Sequence, residues 1–383
     1  MKKSLKISLY FTFIVLFLSG CQTDMKEIAR MNYPTAIGVD FIDGDYYLYL
    51  QLIGFNSIAK TEGDGGGPTK TYVFESRASN FIDAFFEVYE TSQQKFLWAH
   101  ITGIVISESV LEEGVSHIYD GISRYPEFRL TPWIFATKEP IKEVLSTVGF
   151  FGKTTLETLL HEPEQIYEQS SMIKPYKLHQ FFREVFEPGF TTYIPSLAVN
   201  KDSWVENKKE EPKLELNGAY FIHKEQYKGF FTLDELKGLQ WVDSETERAP
   251  IFIPDKENLN LLLVANKIEP EIIVNIENNQ PQFDIELNIE GYADQRMDEQ
   301  SLLSIMKDDA AQSIEKELMT LYQLGLENDV DFLNLEHILY RKRKKEWKRL
   351  SSEKWLNENT IQSVNVNVFI NHSGVFKNKQ IGE

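Results

Sequence analysis

Three observations predict a mixed α/β, α+β protein of three domains, each a small mixed or antiparallel sheet with packed helices. Strand-like and helix-like segments alternate between Ala36 and Ala136, the pattern of a sheet with helices laid on it. Further on, Phe283, Ile285, Leu287 and Ile289 alternate strictly with Asp284, Glu286, Asn288 and Glu290. That period of two marks a strand with one dry and one wet face. A length of 383 residues with 42% hydrophobic and 13% aromatic content supports two or three cores rather than a disordered tether.

The first segment stands outside this fold. Met1, Lys2, Lys3 and Lys6 make a positive start, and Ile7 to Leu18 is an apolar run too short to cross a bilayer core of roughly 30 Å. Leu18-Ser19-Gly20-Cys21 then places two small residues before the only cysteine of the chain. This is the arrangement of a bacterial lipobox. Residues 1–20 are expected to be a lipoprotein signal peptide, and Cys21 the nucleophile that accepts a diacylglyceryl group. The competing reading is an ordinary signal peptide or a membrane anchor with an incidental cysteine. A lone cysteine forms no intramolecular disulfide, and stable anchoring takes two or more acyl chains, as a mature lipoprotein N-terminus carries. The expected location is therefore outside the cytoplasm, on a membrane face, held by lipid.

Losing Lys2, Lys3 and Lys6 with the signal peptide takes the formal net charge from −18 to −21. So acidic a chain argues against nucleic acid as a partner and against broad adhesion to anionic lipid. After a polar lead, Gln22 to Asn32, the N-terminal domain is expected over residues 21–200. Ala36–Val39 and Tyr46–Ile53 read as strands around the turn Asp43-Gly44-Asp45. The glycine-rich stretch Glu62 to Pro68 lacks the Gly-Lys-Ser/Thr ending of a phosphate loop and reads as an exposed hairpin loop. Phe81, Ala84, Phe85 and Val88 have helical spacing after Ser79, a candidate N-cap. Gly103–Ser107 and Trp133–Ala136 read as buried strands. Leu145 to Phe186 reads as helical, interrupted at Pro163 and Pro175 and ended by Pro188-Gly189.

Val205 to Pro212 is charged and reads as a linker. A small β-β-α middle domain is expected over residues 213–255, from Leu214–Phe221, Tyr227–Phe231 and Asp234–Trp241. The C-terminal domain is expected over residues 256–383. There Leu303, Met306, Ala310, Ile314, Leu318 and Leu321 make a long amphipathic helix, and Val364, Val366, Val368 and Ile370 a last alternating strand. A helix packed on a sheet buries both stripes.

Catalytic and metal patterns are missing. None of the seven histidines forms His-Glu-x-x-His, and no second cysteine supplies a thiolate site. There is no Gly-x-Ser-x-Gly elbow. The expectation is a non-enzyme with no cofactor and no metal. Two constellations rise above this background. Arg124, Glu127 and Arg129, after Trp98-Ala99-His100, are expected to form a fixed, buried polar network, with a partner or ligand contact as the other reading. Arg341 to Arg349 is a basic block in an acidic chain, either a solvated helix face or a contact for anionic headgroups.

Taken in order, these segments resemble the Ger(x)C family, the lipoprotein C subunits of nutrient germinant receptors in endospore formers. Asp24, Glu27 and Ile28 after the lipobox fit that family, although Gln22-Thr23 replaces its tryptophan with one extra residue. Further matches are Gly38-Val39-Asp40, Trp98-Ala99-His100, Ile104 to Glu108, Gly114, and Arg124-x-x-Glu127-x-Arg129. Gly218-Ala219, Gly238-Leu239-x-Trp241, Lys267-Ile268-x-Pro270, Trp347 and Trp355 continue the series. The resemblance implies a non-catalytic lipoprotein on the outer face of the spore inner membrane. It would act with two membrane-embedded subunits, A and B, in germinant-triggered germination. Contact of this chain with a small-molecule germinant is left open. The rival of a different class is a solute-binding lipoprotein of a transporter, built as two similar lobes about a hinge. Against it, the last third of the sequence does not echo the first.

Overall fold

The computed structural model describes residues 31–54, 70–125, 127–253, 261–296, 303–350 and 355–373. The signal peptide, Cys21 and the stretch Glu62 to Pro68 lie outside the described residues.

A nine-stranded sheet forms the larger part. Strands β1 (Pro34–Ile42) and β2 (Asp45–Ile53) pair as a hairpin, and both turn residues, Asp43 and Gly44, have positive φ. That turn geometry matches the twist of the strands. Strand β3 (Thr71–Ala78) extends the antiparallel side. On the other side of β1 the sheet turns parallel, through β4 (Gly103–Ser107) and β5 (Trp133–Thr137). The short β6 (Tyr176–Lys177) pairs with β5, and β7 (Thr191–Asn200) runs parallel to it. A small hairpin, β8 (Val205–Glu206) and β9 (Lys209–Glu210), leads to β10 (Lys213–His223) and β11 (Gln226–Thr232), which close the sheet antiparallel. The order is β11-β10-β7-β5-β4-β1-β2-β3.

The period of two divides this sheet between two cores. Ile37, Val39, Ile104, Ile106, Ile134 and Ile194 point to one face. Covering it are α1 (Phe81–Phe86), α3 (Glu108–Glu113), α4 (Ser116–Arg124) and α7 (Leu178–Val185); the single turn α2 (Val88–Thr91) adds Val88. Ala36, Val105, Phe135 and Leu197 point the other way, under α5 (Ile141–Ser146). The N-cap of α1 is Asn80 rather than Ser79, its Oδ1 accepting the Asp83 N–H at 2.9 Å. Within Leu145 to Phe186, α-helix beyond α5 is confined to α6 (Glu164–Gln169) and α7, with a 3-10 turn at Thr155–Glu157 and irregular chain between. Strand β7 is buried on both faces along Thr191 to Val199, with the polar Thr191, Thr192 and Ser196 among its buried residues.

A second sheet holds β12 (Ala249–Ile253), β13 (Leu261–Glu277), β14 (Gln280–Arg296) and β15 (Ile361–Ser373), in that order. The long α8 (Leu303–Asn328), then α9 (Leu335–Lys342) and α10 (Lys344–Leu350), connect β14 to its parallel neighbour β15. Met306, Ala310, Ile314, Leu318 and Leu321 are buried against Phe283, Ile285, Leu287 and Ile289, as their periodicities require.

Among the described residues, 213–253 do not form a separate sheet. Strands β10 and β11 belong to the large sheet, through ten paired positions between β10 and β7, while β12 belongs to the second. One apolar cluster joins the two: Tyr193, Ala219, Phe221 and Phe231 pack with Trp241, Leu263, Ile285 and Phe332. Phe332 meets the rings of Phe221 and Phe231 edge-on, at 4.7 and 4.9 Å.

Candidate functional site

The most heavily tied polar cluster lies where α9 meets the large sheet. Asn334, in the left-handed region at φ 55°, starts α9. Its Oδ1 accepts the Thr191 N–H at 2.6 Å, and its Nδ2 donates to the Thr191 carbonyl at 3.2 Å. Two residues on, Glu336 Oε2 lies 3.3 Å from His223 Nε2, while Lys224 and the Trp347 indole donate to the same carboxylate, the indole at 3.1 Å. Desolvation works to raise the Glu336 carboxyl, but the His223 hydrogen bond, the Lys224 charge and the indole together hold it at about 2. Asp331 Oδ2 accepts the Glu336 backbone N–H at 2.7 Å, and its burial pushes its carboxyl up to about 6. Lys224 and Glu225 form the β10–β11 turn, both at positive φ without the usual Asn or Gly.

Beyond Glu336 the helices carry the basic block. Arg341, Lys342, Arg343, Lys344, Lys345, Lys348 and Arg349 are all exposed, and Glu346 is the only acid among them. Lys342 Nζ donates to the Ile272 carbonyl at 2.8 Å, and Arg349 to the Asn279 carbonyl, so both are seated on the β13–β14 hairpin with their charge intact. Trp347, half-buried, meets Tyr340 edge-on at 4.9 Å and pins α10 to α9 through Glu336.

Arg124, Glu127 and Arg129 are exposed, which corrects the expectation of a buried network. Arg124 bonds Asp120, one turn back on α4, at 2.6 Å. The chain leaves α4 there for a surface loop, so water solvates these charges and no buried partner is required. The buried cluster near them is aromatic: Trp98 stacks on Phe96 at 5.1 Å and donates its indole N–H to Tyr89 Oη at 2.9 Å. Cys21 lies outside the described residues.

Sequence reasoning missed a second buried network. His161 Nε2 lies 3.0 Å from Gln51 Oε1, which also accepts from Thr35 Oγ1 at 2.6 Å, and His161 Nδ1 lies 2.6 Å from Thr102 Oγ1. Because Gln51 Nε2 donates to the Leu145 carbonyl at 2.6 Å, its Oε1 faces the histidine as an acceptor. The proton therefore sits on Nε2, and Nδ1 accepts from Thr102. Burial drives the His161 pKa down to about 3. Among the described residues no group of three His, Cys, Asp or Glu is placed to hold a metal ion, and no helix is long and apolar enough to cross a membrane.

Two family models together match nearly all of these elements: "Spore germination protein N-terminal domain" over residues 24–199, and "Spore germination B3/ GerAC like, C-terminal" over residues 217–374. The chain belongs to the Ger(x)C family of spore germination proteins. Its relatives include spore germination protein KC of Bacillus subtilis (strain 168), 23% identical over 391 residues, with 95% of this chain and 94% of that protein covered. Putative spore germination protein YfkR of the same organism is 22% identical over 335 residues, covering 86% and 79%. The crystal structure of the GerBC protein covers 87% of this chain and 96% of that one at 16% identity, with a TM-score of 0.49.

In this Ger(x)C chain the motif positions serve packing. A Cβ on Gly38 would stand 2.2 Å from Ile141 Cγ2, so α5 sits directly on β1. Asp40 Oδ1 accepts from Ser109 Oγ at 2.9 Å and from the Phe41 N–H at 2.8 Å, fastening the end of β1 to α3. Gly238 allows its turn to abut the Glu317 carbonyl of α8, and Trp241 Nε1 donates to Glu317 Oε2 at 2.8 Å. Trp355 stacks on Phe283 at 6.0 Å.

Proposed function

We propose that this chain is the non-catalytic, lipid-anchored C subunit of a spore nutrient germinant receptor. It is held by Cys21 on the outer face of the spore inner membrane and works with the membrane-embedded A and B subunits. The observation that carries this reading is the pair of family models, which follow one another along residues 24–199 and 217–374 directly behind the lipobox. The strongly perturbed groups support a structural role, since His161, Asp331 and Glu336 are all engaged in joints between elements. The two sheets differ in strand number and order and share one core. That speaks against two similar lobes about a hinge, and so against a solute receptor for a transporter.

Replacing Cys21 by Ala in the spore-forming host tests the anchor. Unprocessed precursor or protein released from the membrane is expected, and membrane-bound chain with an unmodified Cys21 by mass spectrometry overturns it. Deleting residues 256–383 tests the subunit reading. Loss of the germinant response together with a fall in A-subunit level is expected, whereas normal germination with normal A-subunit level overturns the assignment. Catalytic turnover by the purified mature chain overturns the non-enzyme reading.

A further inference from the structure

The register of the large sheet locates the basic block relative to the start of the fold. Val39 of β1 pairs with Ile106, Ile106 with Ala136, and Ala136 with Ser196 of β7, all in parallel ladders. Strand β1 begins at Pro34 and β7 at Thr191, so each starts five positions before that shared level. The two starts therefore lie at the same end of the sheet, three strand spacings or roughly 14 Å apart. Helix α9 is bolted to this end, through Asn334 on Thr191 and Glu336 on His223, the residue paired with Thr191. The start of β1 at Pro34 and the helix that opens the basic block thus share one end of the large sheet.

The block is a fixed cationic face. Arg341 has a carboxylate partner, Glu187, at 3.9 Å. Among the described residues no carboxylate pairs with Arg343, Lys344 or Lys345. Seven exposed cations against Glu346 stand on a chain whose formal net charge is −18. An anionic bilayer repels most of such a surface and attracts this one face, which orients the molecule rather than merely adhering it.

We propose that residues 341–349 form a docking face for anionic phospholipid headgroups, brought to the bilayer by an acyl anchor on the segment that leads into β1 at the same end of the large sheet. The proposal rests on the lipid-anchored reading above for its geometry. Its test is independent, because it uses chain without lipid. The chain from residue 22 onward, which contains every described element, is sedimented with vesicles of phosphatidylcholine alone or mixed with phosphatidylglycerol. Binding to the mixed vesicles is expected, with little to phosphatidylcholine, and it should weaken as salt shortens the screening length. Substituting Arg343→Gln, Lys344→Gln and Lys345→Gln together should lower the affinity at least about tenfold, given the usual strength of a basic residue at an anionic surface. An unchanged melting curve for that variant separates lost contact from lost fold; if it melts early, Lys345→Gln alone must still reduce binding. Equal binding to both vesicle types, no binding by the unmodified sequence, or full binding by the variants overturns the proposal. A failure of Cys21 lipidation would appear in the mass spectrum and leave these sedimentation results unaffected.

Discussion

Glu336 of α9 and His223 of β10 stand 3.3 Å apart, across the seam between the two sheets. Lys224 and the Trp347 indole converge on the same carboxylate, so one side chain ties the large sheet, α9 and α10. Replacing Glu336 by Ala leaves a half-buried histidine and a lysine without their acceptor. Removing one partner of such a pair costs about 3–5 kcal/mol. Lys224→Ala, at an exposed position, should cost under about 1 kcal/mol. Because the folded-state pKa of Glu336 is depressed to about 2, its contribution is present above the unfolded value near 4.5 and lost as pH falls toward 2. Urea unfolding of both variants at neutral pH and near pH 3 checks the ranking and the sign. Equal losses for the two variants would dissolve the hub.

His161 gives a second pH dependence. Its folded pKa, lowered to about 3 by burial, lies below the ordinary value of 6.5. Between those values the unfolded chain binds a proton that the folded chain refuses. Stability from this group is thus complete above pH 6.5 and falls by about 1.4 kcal/mol per pH unit below it. His161→Gln should lower stability at pH 7 and flatten the acid limb, so its deficit shrinks as pH drops from 6 to 4. A deficit independent of pH would show that the folded chain takes up this proton as readily as the unfolded one.

Much of the fold was legible, and the misses have physical causes. The period of two at Phe283–Ile289 and the helical stripe Met306–Leu321 were legible because each element has one dry and one wet face. Strand β7, Thr191–Asn200, is buried on both faces and carries no alternation to read. Residues 213–255 read as one module because β10 and β11 are consecutive hairpin strands. Their attachment to β7 and the attachment of β12 to β13 are long-range pairings without a local signature. Arg124, Glu127 and Arg129 appeared as a network because their spacing is compact, yet spacing does not report burial. Glu336 was one acid among many, and its role arises only when α9 reaches His223. Asn334 offered the one local signal, a residue tolerant of the left-handed region before an apolar-periodic helix.

Gly38 sets how closely α5 lies on β1. An added Cβ would meet Ile141 Cγ2 at 2.2 Å and Tyr49 Cβ at 3.1 Å. Gly38→Ala should cost about 1–3 kcal/mol through overpacking. Ile141→Leu removes the γ2 methyl, so the double variant should lose less than the sum of the single ones. Additive losses in thermal unfolding would place the strain elsewhere.

Trp241 and Glu317 supply the last test, because their interaction depends on charge. Trp241 is fully buried and donates to Glu317 Oε2 at 2.8 Å. Burial raises the Glu317 pKa, while this hydrogen bond opposes the rise. A raised carboxyl contributes stability below its unfolded value near 4.5 that is lost as pH climbs through the folded value. Without the indole donor the carboxylate is poorer still, and the folded pKa rises further. Trp241→Phe keeps most of the aromatic volume and removes the donor, so it should cost about 1.5–3 kcal/mol at pH 7, the range for hydrogen bonds to charged groups. At pH 4, with more of the carboxyl neutral, the cost should be smaller. In a Glu317→Gln background, Trp241→Phe should lose this pH dependence. Denaturant titrations of the four proteins at both pH values decide the matter, and an equal cost at pH 4 and pH 7 would assign the effect to ring volume alone.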